Sequence, residues 1–418
     1  MILGELEPSW LAQVTGGKLN PGAQTAHDLS WDSRQVGPGS AFIALAGEQT
    51  HGELFVAEAL ERGAALVISE RPHPRGLQVA DTWQALADLA TALRQNYPGH
   101  LVAVTGSAGK TTTKEALAQG LGFAAPYGNQ NTLPALARFL LGTGNQTGLA
   151  LELGIDRPGE MDLLAAVTRP DLGIISAIGP AHLERLGSVA GVAREKEKLL
   201  AASRVKLASL AALPYLNISG VKSYGLGAGD FSAQNYEPGL EASSFSYAGL
   251  KVRVPYPGAG AALAALAALA SAEILGQDLG PVAERLAELK LPAGRLERRE
   301  KNGVVYLNDS YNANPISVQN GLELLAKIPG PKIAVLGEMR ELGENSRQYH
   351  LEAARQASQA AQTVIFLGPY AHEQAALSGG IAAADLAEVR QLLEQAQPGV
   401  TVYLKASRAV GLEKVLDD

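Results

Sequence analysis

Short apolar, β-branched runs alternate along the whole chain with longer stretches of helical periodicity. The runs at 41–45, 64–69, 101–105, 148–153, 172–178, 304–307, 332–336, 363–367 and 400–404 read as strands of the kind buried in parallel sheets. Helices are predicted between them: over 54–62, from Lys110 onward with Leu117 and Leu121 four apart on one face, and over 348–361. The charge-dense run at 193–198 reads as a helix with a solvated face, and its pattern singles out none of its lysines. The segment 205–256 reads as short β pieces and turns. The alternation predicts an α/β protein. A plausible linker, Tyr97-Pro98-Gly99, and a return to strand–helix alternation after about residue 292 divide it into units at 1–98, 99–292 and 293–418.

One stretch organises the rest, V-A-V-T-G-S-A-G-K-T-T-T-K at 102–114. A strand runs into Gly106, Ser107, Ala108 and Gly109, and a helix follows from Lys110, Thr111 and Thr112. Strand, glycine turn and helix form an anion cradle, because backbone N–H groups and the positive end of the helix dipole converge there. Lys110 adds a point charge for β- and γ-phosphates, and Thr111 offers a hydroxyl to Mg²⁺. Val104 stands where the longer phosphate-loop pattern has its first glycine, so this is a shorter G-x-x-G-K-T-T variant. With the strand before it and the helix after it, the turn predicts nucleotide binding, and 99–292 a P-loop ATPase-like parallel sheet.

Composition narrows the picture. A chain of 418 residues exceeds a single core. A net charge of −7 argues against a broad nucleic-acid or anionic-membrane surface. Without cysteine there is no disulfide, thiolate metal site or cysteine nucleophile. No signal peptide is visible. The most apolar segment, 259–275, is Ala/Leu-rich and includes Glu273, which reads as a buried helix rather than a membrane span. A cytoplasmic enzyme is expected.

Polar residues at predicted strand ends are the remaining candidates. Glu152 lies inside an apolar strand, where burial is costly without a partner, and a metal at the nucleotide crevice would supply one. His182 lands in the loop G-P-A-H-L-E at 179–184, either as a surface histidine or as a ligand. Asp32-Ser33-Arg34 by itself reads as a solvated turn. Polar clusters stand at strand ends at 308–315 and 337–343, and the first, six polar side chains in eight residues closed by a proline, carries more than a turn needs and reads as a ligand loop.

Together, D-S-R at 32–34, T-G-S-A-G-K-T-T-T-K at 105–114, E-L-G at 152–154, G-P-A-H-L-E, D-S-Y-N-A-N-P at 309–315, G-E-M-R-E-L-G at 337–343 and K-A-S-R at 405–408 resemble the Mur ligase family of peptidoglycan synthesis over essentially the whole chain. The resemblance implies a small α/β N-terminal domain that binds the UDP-linked substrate. It implies a central ATP-binding domain and a Rossmann-like C-terminal domain that closes on ATP and the incoming amine. The implied activity is ATP-dependent amide ligation through an acyl phosphate. Y-N-A-N-P and G-E-M-x-E-L-G point to UDP-N-acetylmuramoyl-tripeptide and D-alanyl-D-alanine as substrates. By the same resemblance, Thr111 and Glu152 belong to one Mg²⁺ site and His182 to a second, and Lys196 aligns with a lysine carried as a carbamate. Lys110, Glu152, His182 and Lys196 are thus the catalytic candidates. Ser33 and Arg34 would hold the uridine diphosphate, Arg295 and Asp309 the nucleotide, and Tyr311, Asn312 and Asn314 the peptide and dipeptide ends. A monomer is expected. The chain departs from the family at Gly260, Ala261 and Ala264, in place of a His-Asn motif and a further Asn that help hold adenine. It departs also at Asn131-Thr132, Ser176-Ala177 and Lys198. Alternatives are another amide ligase of the Mur or folylpolyglutamate type, and a non-catalytic paralogue that binds nucleotide or precursor.

Overall fold

Three sheets organise the protein, and the apolar runs read from the sequence supply most of their strands. The computed structural model describes residues 4–47 and 49–417. The first sheet has the order Lys18–Leu19, Gly76–Gln78, Leu66–Ser69, Ser40–Ile43 and Asp28–Ser30, parallel except for the short edge strand Lys18–Leu19. The helix expected at 54–62 opens as a 3₁₀ turn, Gly52–Phe55, before Val56–Glu61.

The central sheet has eight strands. It runs parallel from Gly148–Glu152 through His100–Thr105, Leu172–Ile175, Val205–Ser209 and Val221–Leu226 to Phe231–Glu237. The hairpin Ser243–Tyr247 and Leu250–Val254 then adds two antiparallel pairings, so the sheet expected to be parallel is mixed. The short β pieces of 205–256 are therefore its far half. The Ala/Leu segment is the helix Ala259–Ile274, apolar on every side and buried along most of its length, as a helix inside a core must be. Its small side chains let it lie close to the phosphate-loop helix Lys110–Leu121: Ala268 Cβ stands 3.4 Å from where a Cβ on Gly120 would project.

In the third sheet the parallel strands Val304–Asn308, Thr401–Lys405, Lys332–Leu336, Thr363–Leu367 and Ile381–Ala383 carry the antiparallel Glu297–Lys301 at one edge. That strand reads E-R-R-E-K and is largely exposed, a charged edge that discourages pairing with other chains.

The domains are joined in two different ways. One apolar cluster runs unbroken from Leu29, Leu66, Leu86 and Leu93 in the first unit to Leu101, Leu136, Leu149 and Met161 in the second. Arg138 adds a two-toothed pair with Asp28, at 2.9 Å to each oxygen. The C-terminal sheet instead closes its own cores on its two faces. In both larger sheets the parallel strands end toward the polar loops, the side on which ligands bind in open α/β sheets.

Gly321, in the helix Pro315–Lys327, allows that helix to rest on the fully buried Tyr403 ring, and a Cβ there would overlap it. We expect Gly321→Ala to destabilise the C-terminal domain by about 1–3 kcal/mol, read as a lower denaturant midpoint for its unfolding.

Candidate active site

The phosphate loop is shaped by a second loop pressed against it. Gly109 has φ +78°, the left-handed region open to glycine, and a Cβ on Gly106 would overlap the Ser176 hydroxyl. Strand Leu172–Ile175 stops short of the expected 178 because the chain turns there to hold the phosphate loop. Ser176 Oγ donates to the Ala108 carbonyl at 2.6 Å. Ser107 N–H donates to the Ala177 carbonyl at 2.7 Å, and Ser107 Oγ to the Gly179 carbonyl at 2.9 Å. Lys110 Nζ reaches back to the Gly106 carbonyl at 2.9 Å, spanning the cradle.

Glu152 ends its strand buried, as the sequence suggested, and its charge is met by donors. Thr111 Oγ1 donates to Oε2 at 2.7 Å and Asn131 Nδ2 to Oε1 at 2.9 Å. Arg295, from beyond the central domain, donates through Nη2 to Thr111 Oγ1 at 2.8 Å. Its guanidinium lies 4.1 Å over the Tyr311 ring, and Arg408 approaches the same ring at 5.6 Å. Asn314 caps the helix Pro315–Lys327 through Oδ1 while its Nδ2 donates to the Ser107 carbonyl at 2.7 Å. The Y-N-A-N-P loop thus rests directly on the phosphate loop.

His182 and the loop 337–343 form a second crossing. His182 Nδ1 stands 2.7 Å from Glu341 Oε2, and Leu183 N–H donates to the Glu341 carbonyl at 2.8 Å. Both His182 and Glu341 take positive φ, at 52° and 65°. The neighbouring imidazole holds the Glu341 carboxyl below its usual range. His350 supports this loop from behind, with Nε2 accepting the Met339 N–H at 2.9 Å.

These residues line one cleft of 550 Å³, bounded by Ser107–Thr111 backbone and side chains, Glu152, His182, Arg295, Tyr311, Asn312 and Asn314. Its other wall brings in residues to which the sequence reading assigned no role, among them Trp83 of the first domain, Asp156, Arg157 and Lys405. Lys405 carried a signal, since it opens K-A-S-R, and Trp83 carried none.

Other sequence candidates lie off the cleft surface. Gly106 and Thr112 build the loop and helix from behind. Asp309 is set back behind Lys405, whose Nζ pairs with it at 2.5 Å. Ser33 and Arg34 stand apart in the first domain. Ser33 Oγ donates to Glu58 Oε2 at 2.7 Å, and the exposed Arg34 folds onto Asp32 at 2.8 Å. Lys196, in the helix Val189–Ala202, is completely buried and its Nζ finds no hydrogen-bond partner among the described residues. Burial, reinforced by the Lys110 charge, pushes its ammonium well below its usual pKa, with Glu152 opposing. At the positions where the resemblance expects adenine-holding side chains, Ala261 and Ala264 are buried in the apolar core and Gly260 is exposed, so none offers a side-chain hydrogen bond to a base.

Among the described residues no cluster of three or more His, Asp and Glu side chains forms a ready-made metal cage. The Thr111 hydroxyl and Glu152 carboxylate nevertheless suit Mg²⁺, which takes few protein oxygens and completes its shell with water and phosphate.

The chain matches three family descriptions in succession: Mur ligase family, catalytic domain, over 25–95; Mur ligase middle domain over 104–272; and Mur ligase, glutamate ligase domain, over 294–408. It is 31% identical over 437 residues to the UDP-N-acetylmuramoyl-tripeptide--D-alanyl-D-alanine ligase of Escherichia coli, covering 98% of this chain and 97% of that one. A crystal structure of MurF from Acinetobacter baumannii superposes with TM-score 0.90 at 28% identity, over 100% of this chain and 99% of that one. MurF from Thermotoga maritima in complex with ADP does so with TM-score 0.83 at 30% identity, over 93% and 96%.

The Arg34 guanidinium holds the Asp32 carboxyl down to about 2. Its charge is then retained until the pH falls through that value. Arg34→Ala should return the Asp32 titration toward the ordinary carboxylate value of about 3.9, followed by NMR of the side-chain carboxyl carbon.

Proposed function

The chain belongs to the Mur ligase family, and on that premise we propose that it joins D-alanyl-D-alanine to UDP-N-acetylmuramoyl-tripeptide in peptidoglycan precursor synthesis, converting ATP to ADP and phosphate. The observation that carries the reading is the meeting of two loops in one cleft. The Y-N-A-N-P loop, which would present the dipeptide, touches the phosphate loop through Asn314 and Ser107. Amine and activated carboxyl would then form within one enclosure.

The chemistry asks for two steps. A carboxylate oxygen of the tripeptide attacks the γ-phosphorus, and ADP leaves. The dipeptide amine then attacks the acyl carbon, the phosphate departs with the C–O bond electrons, and the amine loses a proton as the amide forms. The first step brings two anions together. Lys110, Arg295 and the N–H groups at the start of helix Lys110–Leu121 offset that repulsion, and as fixed dipoles and charges they need no reorganisation during reaction. Mg²⁺ on Thr111 and Glu152 would screen the phosphates further. The acyl phosphate is an anhydride open to hydrolysis, so the C-terminal loops must close the cleft against water.

The remaining assignments rest on the resemblance to the family. Ser33 and Arg34, on the first domain, would hold the uridine diphosphate. Asp309 would reach the nucleotide from behind Lys405, and His182 would serve a second Mg²⁺. Lys196 would carry a carbamate, which turns a buried unpartnered amine into an anion that offers oxygen ligands. A neutral amine is the species that attacks carbon dioxide, and burial favours it. No described helix is long and apolar enough to cross a membrane. We assign a monomer acting in the cytoplasm, where ATP and UDP-linked precursors are available.

Phosphate release from ATP and Mg²⁺ should require both the UDP-linked tripeptide and D-alanyl-D-alanine, with the pentapeptide product seen by mass spectrometry. Release that responds instead to a different amine would move the chain to a sibling ligase, and its absence under every condition would favour a non-catalytic paralogue. Lys110→Ala should lower turnover by about 10²–10³-fold while binding of the UDP-linked substrate is retained. Protein equilibrated with ¹³C-labelled carbon dioxide should show one carbamate carbon resonance that disappears in Lys196→Ala.

A further inference from the structure

Lys114 is almost completely buried, yet it does not reach the cleft. It lies three residues beyond Thr111 on helix Lys110–Leu121, on the same side of that helix. Its Nζ donates to the Pro126 carbonyl at 2.6 Å and the Gly128 carbonyl at 3.0 Å, with Glu115 Oε1 at 2.8 Å. A buried ammonium persists where partners replace its water, and two of these partners belong to one irregular turn. Tyr127, between the two clamped carbonyls, is 88% exposed, so the turn gains little from apolar burial of its own side chain. Lys114 is its anchor.

The turn leads directly to Asn131, whose Nδ2 donates to Glu152 Oε1 at 2.9 Å. Thr111 holds the other oxygen at 2.7 Å. Both arms that aim this carboxylate are therefore rooted in one helix, Thr111 directly and Lys114 through the turn and Asn131. A cation shared by Thr111 and Glu152 would engage the first arm, leaving the second to orient the carboxylate.

We infer that Lys114 is a positioning residue: by clamping the Pro126 and Gly128 carbonyls it presents Asn131 to Glu152 and so sets the site's affinity for a metal–nucleotide complex. The inference rests on the ligase reading only for the assumption that such a complex binds here.

The test uses the full chain and Mn²⁺ with ADP, followed by electron paramagnetic resonance without turnover. Lys114→Met should weaken Mn²⁺–ADP binding by about tenfold, the scale seen when a partner that orients a metal ligand is lost. The KM for D-alanyl-D-alanine should stay within about twofold. Asn131→Ala should show a similar loss, and the double variant should lose little more than either alone, since both changes cut one arm. Lys114→Gln, which keeps an amide donor, should recover part of the affinity. It also decides the matter where Lys114→Met does not fold. Binding within about twofold of the unsubstituted chain in a folded Lys114 variant, or losses that simply multiply in the double variant, would overturn the inference. Phosphate release is measured on the unsubstituted chain in parallel. If it ignores D-alanyl-D-alanine the ligase reading falls, while the Mn²⁺–ADP comparison still judges Lys114.

Discussion

A surplus of positive charge around one buried carboxylate is the constraint on which this site depends. Lys110 and Arg295 both bear on the region of Glu152, Arg295 through the Thr111 hydroxyl from which that carboxylate accepts. Glu152 itself is pinned at both oxygens, by Thr111 and by Asn131. Such an arrangement is poorly balanced by protein alone and is completed by bound anions. Phosphates would supply them, which is why a cleft with so many inward cations suits phosphoryl transfer.

The same constraint explains how the domains are joined. The first two share a continuous apolar core, so the first domain and the phosphate loop form one rigid platform. The third shares no continuous core with that platform; it meets it through polar contacts, Arg295 on Thr111, Asn314 on Ser107, and Glu341 on His182 and Leu183, and through single apolar side chains such as Tyr349 and Ile316. Polar contacts can be exchanged for water at modest net free energy, whereas opening an apolar core would expose it. A junction without a continuous apolar core is the weaker of the two.

Much of this was legible in local pattern. Nearly every apolar run became a strand, the G-x-x-G-K-T-T turn became an anion cradle, and the Ala/Leu segment became a core helix rather than a span. Glu152 was recognisable because a carboxylate in an apolar strand needs partners. The departures at Gly260, Ala261 and Ala264 were visible too, and two of the three are buried among apolar neighbours.

The sequence by itself determined the elements, their order and the chemistry that each loop carries, because strand and helix periods and glycine turns are properties of neighbouring residues. Only the tertiary structure decided which loops meet. Arg295 bonds to a hydroxyl 184 positions away, Asn314 to a carbonyl 207 away, and Lys405 neutralises an aspartate 96 away. Lys114 ends the G-K-T-T-T-K stretch, and nothing local in it shows that the Pro126 and Gly128 carbonyls close over its ammonium. Contacts of that kind arise from how sheets end and stack, and no local period records them.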